Sequence, residues 1–177
     1  MTALERDPDA VTLTATFRDR ESAERAYNTL TTRGYGDREV SVLMSDETRK
    51  RHFGKDVVIE TGLGNKAAEG SVTGAALGGL AGAIAGVIAA AGTIAIPGIG
   101  VVLAGPVAAG LAGVGAGGVA GGLIGGLVGA GMSEDRAKIH DREIKDGGIV
   151  IGVKPRSVDD ASYIEREWSN DGVTVYK

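Results

Sequence analysis

Residues Gly70 to Gly86 read GSVTGAALGGLAGAIAG, and residues Gly113 to Gly129 read GVGAGGVAGGLIGGLVG. Glycine recurs every fourth position in both: Gly70, Gly74, Gly78, Gly82 and Gly86, then Gly113, Gly117, Gly121, Gly125 and Gly129. No charged residue occurs between Glu69 and Glu134. A four-residue repeat overshoots the 3.6-residue helical turn by about 40° per step, so a glycine groove winds slowly around each helix. Helices packed along such grooves cross right-handed, with backbones close enough for Cα–H···O contacts. The pattern predicts a glycine-zipper helical hairpin over residues 65–132, turning at Pro97 and Gly98.

Such helices carry a handicap of about 0.8–1 kcal/mol per glycine relative to alanine. They need a dry surround. The aliphatic outer face (Leu77, Leu80, Ile84, Val87 and Ile88, then Leu111, Val119, Leu123, Ile124, Leu127 and Val128) could be dried by a bilayer, by sister hairpins, or by the chain's own body. The runs 71–91 and 106–132 each reach the roughly 20 residues that span a hydrocarbon core, and Pro106 suits a first helical position. The dilute hydropathy and mixed flanking charges predict marginal insertion.

Outside this span the composition is ordinary. The chain has 177 residues and a net charge of -4, and 21 of its 30 glycines lie between Gly70 and Gly131, so the compositional skew belongs to the insert. With no cysteine and two histidines, His52 and His140, thiolate chemistry is excluded and a histidine metal cage is unsupported. The mildly acidic balance argues against a nucleic-acid partner. The polar N-terminus, Met1 to Asp9, has no apolar core of a signal peptide, so the flanks are expected in the cytosol.

The flanks themselves read as two halves of one domain, residues 1–64 and 133–177. Val11, Leu13, Ala15 and Phe17 alternate with Thr12, Thr14 and Thr16, the period of a strand with one buried face. Asp19 can cap a helix burying Ala23, Ala26, Tyr27 and Leu30, which ends at Gly34. Val40, Val42 and Met44 mark a second strand. After the insert, Ile149, Ile151 and Val153 mark a third, Ser157 caps a helix burying Ala161, Ile164 and Trp168, and Val173 to Tyr176 form a fourth. Two β-α-β units predict a ferredoxin-like split β-α-β sandwich, an α+β fold, with the hairpin inserted between the second and third strands. Residues 45–53, capped by Ser45, and 133–145, capped by Ser133, read as stalks to and from the insert.

Chemical motifs are weak. Gly62-Leu63-Gly64-Asn65-Lys66-Ala67 mimics a dinucleotide fingerprint but lacks its β-α-β unit, so no cofactor is expected. His140, near Asp141 and Glu143, reads as part of a solvated helix face rather than a general base. Arg49-Lys50-Arg51-His52 reads as a mixed-charge helix, with lipid headgroups as the competing partner. No catalytic or metal residue is predicted.

The stretch Thr93-Ile94-Ala95-Ile96-Pro97-Gly98-Ile99-Gly100-Val101-Val102-Leu103-Ala104-Gly105-Pro106, the Gly/Ala tract after it, the exit Gly131-Met132-Ser133-Glu134-Asp135-Arg136 and the helix start Arg18-Asp19-Arg20-Glu21-Ser22-Ala23 resemble the bacterial general-stress-protein family. The resemblance implies a stress-associated protein, a small α/β domain interrupted by an apolar segment, and no catalytic residues. Residues 137–145 depart from it, being charged and non-aromatic where such proteins carry an acidic-aromatic helix. The expected function is therefore a non-enzymatic, self-associating protein, its hairpin embedded in or resting on the cytoplasmic face of a membrane. A soluble homo-oligomer with a shared apolar core and a membrane-anchored small-ligand sensor are the alternatives.

Overall fold

The computed structural model describes residues 12–36, 38–53, 83–84, 94–95, 101–107 and 118–177. Its centre is an antiparallel sheet of six strands: β1 (Leu13–Phe17), β2 (Val40–Ser45), β3 (Ile94–Ala95), β4 (Val101–Ala104), β5 (Ile149–Val153) and β6 (Val175–Tyr176). They lie in the order β3-β4-β2-β5-β1-β6. Helices α1 (Arg20–Thr32), α2 (Asp46–Phe53), α3 (Gly118–Gly129), α4 (Glu134–Lys145) and α5 (Val158–Asn170) cover it. The chain is thus an α+β protein.

Local chemistry accounts for the helix starts and stops. The Asp19 carboxylate accepts the Ser22 N–H at 2.8 Å to open α1, and Tyr35 N–H returns to Leu30 O at 3.1 Å around Gly34, whose φ is +80°, to close it. Ser45 Oγ accepts Thr48 N–H at 3.1 Å, and Ser157 Oγ accepts Asp160 N–H at 3.1 Å. Ser133 differs: it stands at the cap position of α4 in an extended conformation but its side chain makes no capping bond. Asp and Glu at the first two positions of α4 still complement the helix dipole.

Side-chain alternation divides the core in two. Leu13, Ala15 and Phe17 of β1, Val40, Val42 and Met44 of β2, and Ile149, Ile151 and Val153 of β5 face α1 and α5. Trp168 and Tyr27 sit fully inside this layer, the indole N–H donating to Ala26 O at 3.2 Å and the Phe17 ring meeting it edge-on at 5.9 Å. Leu43 and Val150 face the other way, onto Leu123 and Leu127 of α3 and Ala137 and Ile144 of α4.

Two expectations are corrected here. First, 133–145 is not a stalk: α4 lies on the second face of the sheet, so β1 is buried on both sides and the threonine face points at protein rather than water. Second, residues 94–95 and 101–104, which fall inside the span expected as a helical hairpin, are strands. Val101–Ala104 pairs with β2 in register Val42↔Ala104 to Ser45↔Val101, and Ile94–Ala95 pairs with β4. Valine and leucine favour a pleated strand where a neighbouring edge is open. Gly105 then turns the chain back over β2: its φ is +89°, and a Cβ there would lie 2.0 Å from Val40 O, so the position admits glycine only. Pro106 follows as a first helical residue.

Candidate functional site

Of the ten ladder glycines, Gly121, Gly125 and Gly129 fall within α3. Gly70, Gly74, Gly78, Gly82, Gly86, Gly113 and Gly117 lie outside the described residues, as do Pro97 and Gly98 and the fingerprint-like residues 62–67. The four-residue stagger is interrupted within α3, because Gly122 has φ 61° and ψ −159°, a conformation open only to glycine, and breaks the helix between Gly121 and Gly125. Beyond the break, Leu123 and Leu127 grip the sheet while a Cβ on Gly125 would meet nothing within 4 Å among the described residues. Gly125 therefore faces outward, one helical turn from Val128, which is 40% exposed.

The apolar face expected to need lipid or sister chains is partly dried by the chain itself. Ile84 is fully buried in the core beneath α1, and the Glu24 carboxylate, itself buried, accepts the Ile84 N–H at 3.2 Å. Burial pushes the Glu24 carboxyl above its usual range. Leu123 and Leu127 are covered on the opposite face of the sheet.

A second cluster joins α4 to β1. Arg136, His140 and Glu143 recur at i, i+4 and i+7, opposite the threonines that alternate along β1. His140 is fully buried, not solvated as expected from sequence; burial holds its imidazole below its ordinary pKa, leaving it neutral at pH 7. Thr14 Oγ1 lies 2.9 Å from Nε2 and Glu143 Oε2 lies 3.1 Å from Nδ1. A neutral ring satisfies both when Nδ1–H donates to Glu143 and Nε2 accepts from the Thr14 hydroxyl. Thr16 Oγ1 donates to the same carboxylate, Arg136 Nη2 donates to Thr14 Oγ1 at 3.2 Å, and Tyr176 closes the cluster edge-on at 5.4 Å. Hydroxyl, imidazole and carboxylate stand in the order of a nucleophile, its base and the base's orienter. Thr14 is only 1% exposed and borders neither described cavity, so this network fastens a helix to a sheet.

The open site lies at the sheet end beside it. A cavity of about 470 Å³ is bordered by Arg38, Lys154 and Arg156, with Pro106, Val107 and Val153 among its apolar walls. Thr12, Val107 and Ala130 also border a smaller chamber of about 50 Å³ that reaches Arg136. Ser41 Oγ accepts the Val107 N–H at 3.2 Å, which fixes the turn after Gly105 as a wall. Arg156 is pinned at the rim, gripping Glu39 Oε2 at 2.7 Å and lying 4.3 Å over the Tyr35 ring. Sequence reading missed this cleft, since its residues come from five separate segments.

Among the described residues no group of three His, Asp or Glu side chains is placed to hold a metal, and no helix is long and apolar enough to cross a membrane. Comparisons with protein-family models, curated proteins and solved structures find no match for this chain.

Proposed function

We propose that the chain is a non-enzymatic, self-associating, stress-related protein: a ferredoxin-like split β-α-β sandwich carrying a glycine-zipper segment that associates with lipid membrane. The neighbour order β2-β5-β1-β6, with α1 and α5 together on one face, supports the sandwich. The observation that carries self-association is the outward glycine of α3. Among the described residues nothing covers the Gly125 flank of the helix, beside exposed Val128 and within a 64-residue span that has no charge (70–133). A bare helix flank lets a second helix approach backbone to backbone. The sealed Thr14–His140–Glu143 network supports a non-catalytic reading.

Detergent-free sedimentation velocity of the full chain, paired with flotation on phospholipid vesicles, tests the proposal. Concentration-dependent oligomers that float with vesicles are expected. Oligomers that ignore vesicles point instead to a soluble assembly with a shared apolar core. Monomer in the soluble fraction at every concentration overturns both.

A further inference from the structure

Charge is distributed unevenly over this molecule. The chain as a whole carries a net charge of -4, yet the cleft and its side chamber gather Arg38, Lys154, Arg156 and Arg136 against one carboxylate, Glu39: four cations less one anion, a local charge of +3. Glu39 is already committed to Arg156 through both oxygens, at 2.8 and 2.7 Å. Arg38 and Lys154 make no ion pair among the described residues. Excess positive charge along a concave surface draws anions.

Arg136 points more sharply. It is half-buried on α4, it spends Nη2 on Thr12 O at 2.9 Å and on Thr14 Oγ1, and its buried Nε has no acceptor among the described residues. Burial lowers its pKa, and no carboxylate among the described residues helps to hold the charge. A guanidinium partly removed from water with no counter-ion among the described residues is costly, and the cost falls when an anion enters the chamber it borders. The chamber that Arg136 borders shares Thr12, Val107 and Ala130 with the larger cavity, so the two lie side by side.

The walls define the rest of that ligand. Pro106, Val107, Val153, Pro155 and Ala130 are apolar, and about 470 Å³ falls in the range of small-molecule sites. Gly105 and Ser41 hold the Pro106–Val107 wall in place before any ligand arrives. We infer that this cleft binds a small organic carboxylate with a short aliphatic body, its carboxylate on Arg136 and the rim cations and its chain against Val107 and Val153. The inference stands apart from self-association, since the cleft and α3's open flank are different surfaces of one protomer.

Equilibrium dialysis of the full chain against labelled octanoate, with octan-1-ol and inorganic phosphate as comparison ligands, tests it. Saturable binding of one octanoate per chain is expected, at least about tenfold tighter than octanol or phosphate because each lacks one half of the recognition. Arg136→Met should weaken octanoate about tenfold or more. The pair Arg38→Ala/Lys154→Ala changes only exposed side chains and should weaken it several-fold, so a folding failure of the Arg136 variant leaves the test intact. Octanol or phosphate binding as tightly as octanoate overturns the inference, as does unaltered affinity in the double variant.

Discussion

Replacing Gly125 with leucine separates the stability of the protomer from its association. Among the described residues a Cβ at this position meets nothing within 4 Å, while Leu123 and Leu127, 2% and 0% exposed, hold α3 to the sheet. The substitution therefore adds no clash and opens no cavity. Leucine is better than glycine in a helix by about 0.6–0.8 kcal/mol, so the protomer should gain somewhat under 1 kcal/mol, or about 2 °C in Tm for a chain of this length. Association should move the opposite way. A leucine on the flank forces two backbones apart and removes a few Cα–H···O contacts of about 0.5–1 kcal/mol each, a loss of roughly 1–3 kcal/mol, or about 5- to 150-fold in the association constant. Sedimentation velocity over a concentration series, with thermal unfolding of the same samples, reads both numbers. A fall in protomer stability would mean that Gly125 is covered, and unchanged or stronger association would remove the glycine flank as the contact surface.

Other perturbations address the anchors of the sheet. Leu127→Ala, on the opposite side of α3 from Gly125, should cost about 2–5 kcal/mol in chemical denaturation by leaving a cavity against Val150. Gly105→Ala should unseat β4 from β2, because a methyl there meets the Val40 carbonyl; hydrogen exchange should rise at Leu43 and Ser45 while β1 and β5 stay protected. His140 has a folded pKa below its unfolded value of about 6.5, so its contribution is fully present above that pH and is lost as pH falls toward the folded pKa, with a limiting slope of about 1.4 kcal/mol per pH unit. His140→Gln should flatten stability against pH below 6.5. Glu24 acts with the opposite sign: its raised pKa makes burial of the carboxylate unfavourable above that pKa and relieves it on acidification, so Glu24→Gln should remove the acid-side gain without loss of fold.

Local signals were legible where local energetics decide the outcome. The caps at Asp19, Ser45 and Ser157 and the C′ glycine at position 34 required only side-chain chemistry and spacing. Trp168 and Tyr27 lay on stripes of helical period and are core. What failed depended on a partner the pattern does not name. The alternation of β1 marks two faces but is silent on what covers the threonines; a helix bearing Arg136, His140 and Glu143 does, and its polar stripe looked like a solvated one. The i, i+4, i+7 spacing of those residues facing a hydroxyl-rich strand was the available sign. Val101–Ala104 became a strand because β2 offered an open edge, a fact of assembly invisible in a glycine-rich window.

That added pair of strands bears on how copies can meet. In the order β2-β5-β1-β6, β2 would be an edge of six residues, presenting unpaired N–H and C=O groups to any passing chain. Pairing with β4 occupies four of its positions, and the new outer strand, β3, is two residues long, as is β6 at the far side. Both described edges are thus too short to template another strand. Both faces are covered as well, by α1 and α5 on one side and by α3 and α4 on the other. Phe53 of α2 packs in the first layer, whereas α3 and α4 pack in the second. The segment that supplies β3, β4 and α3 therefore closes the sheet against strand addition. Among the described residues it leaves a helix flank of glycine and valine facing outward, and association of this body is expected through helices rather than through strands.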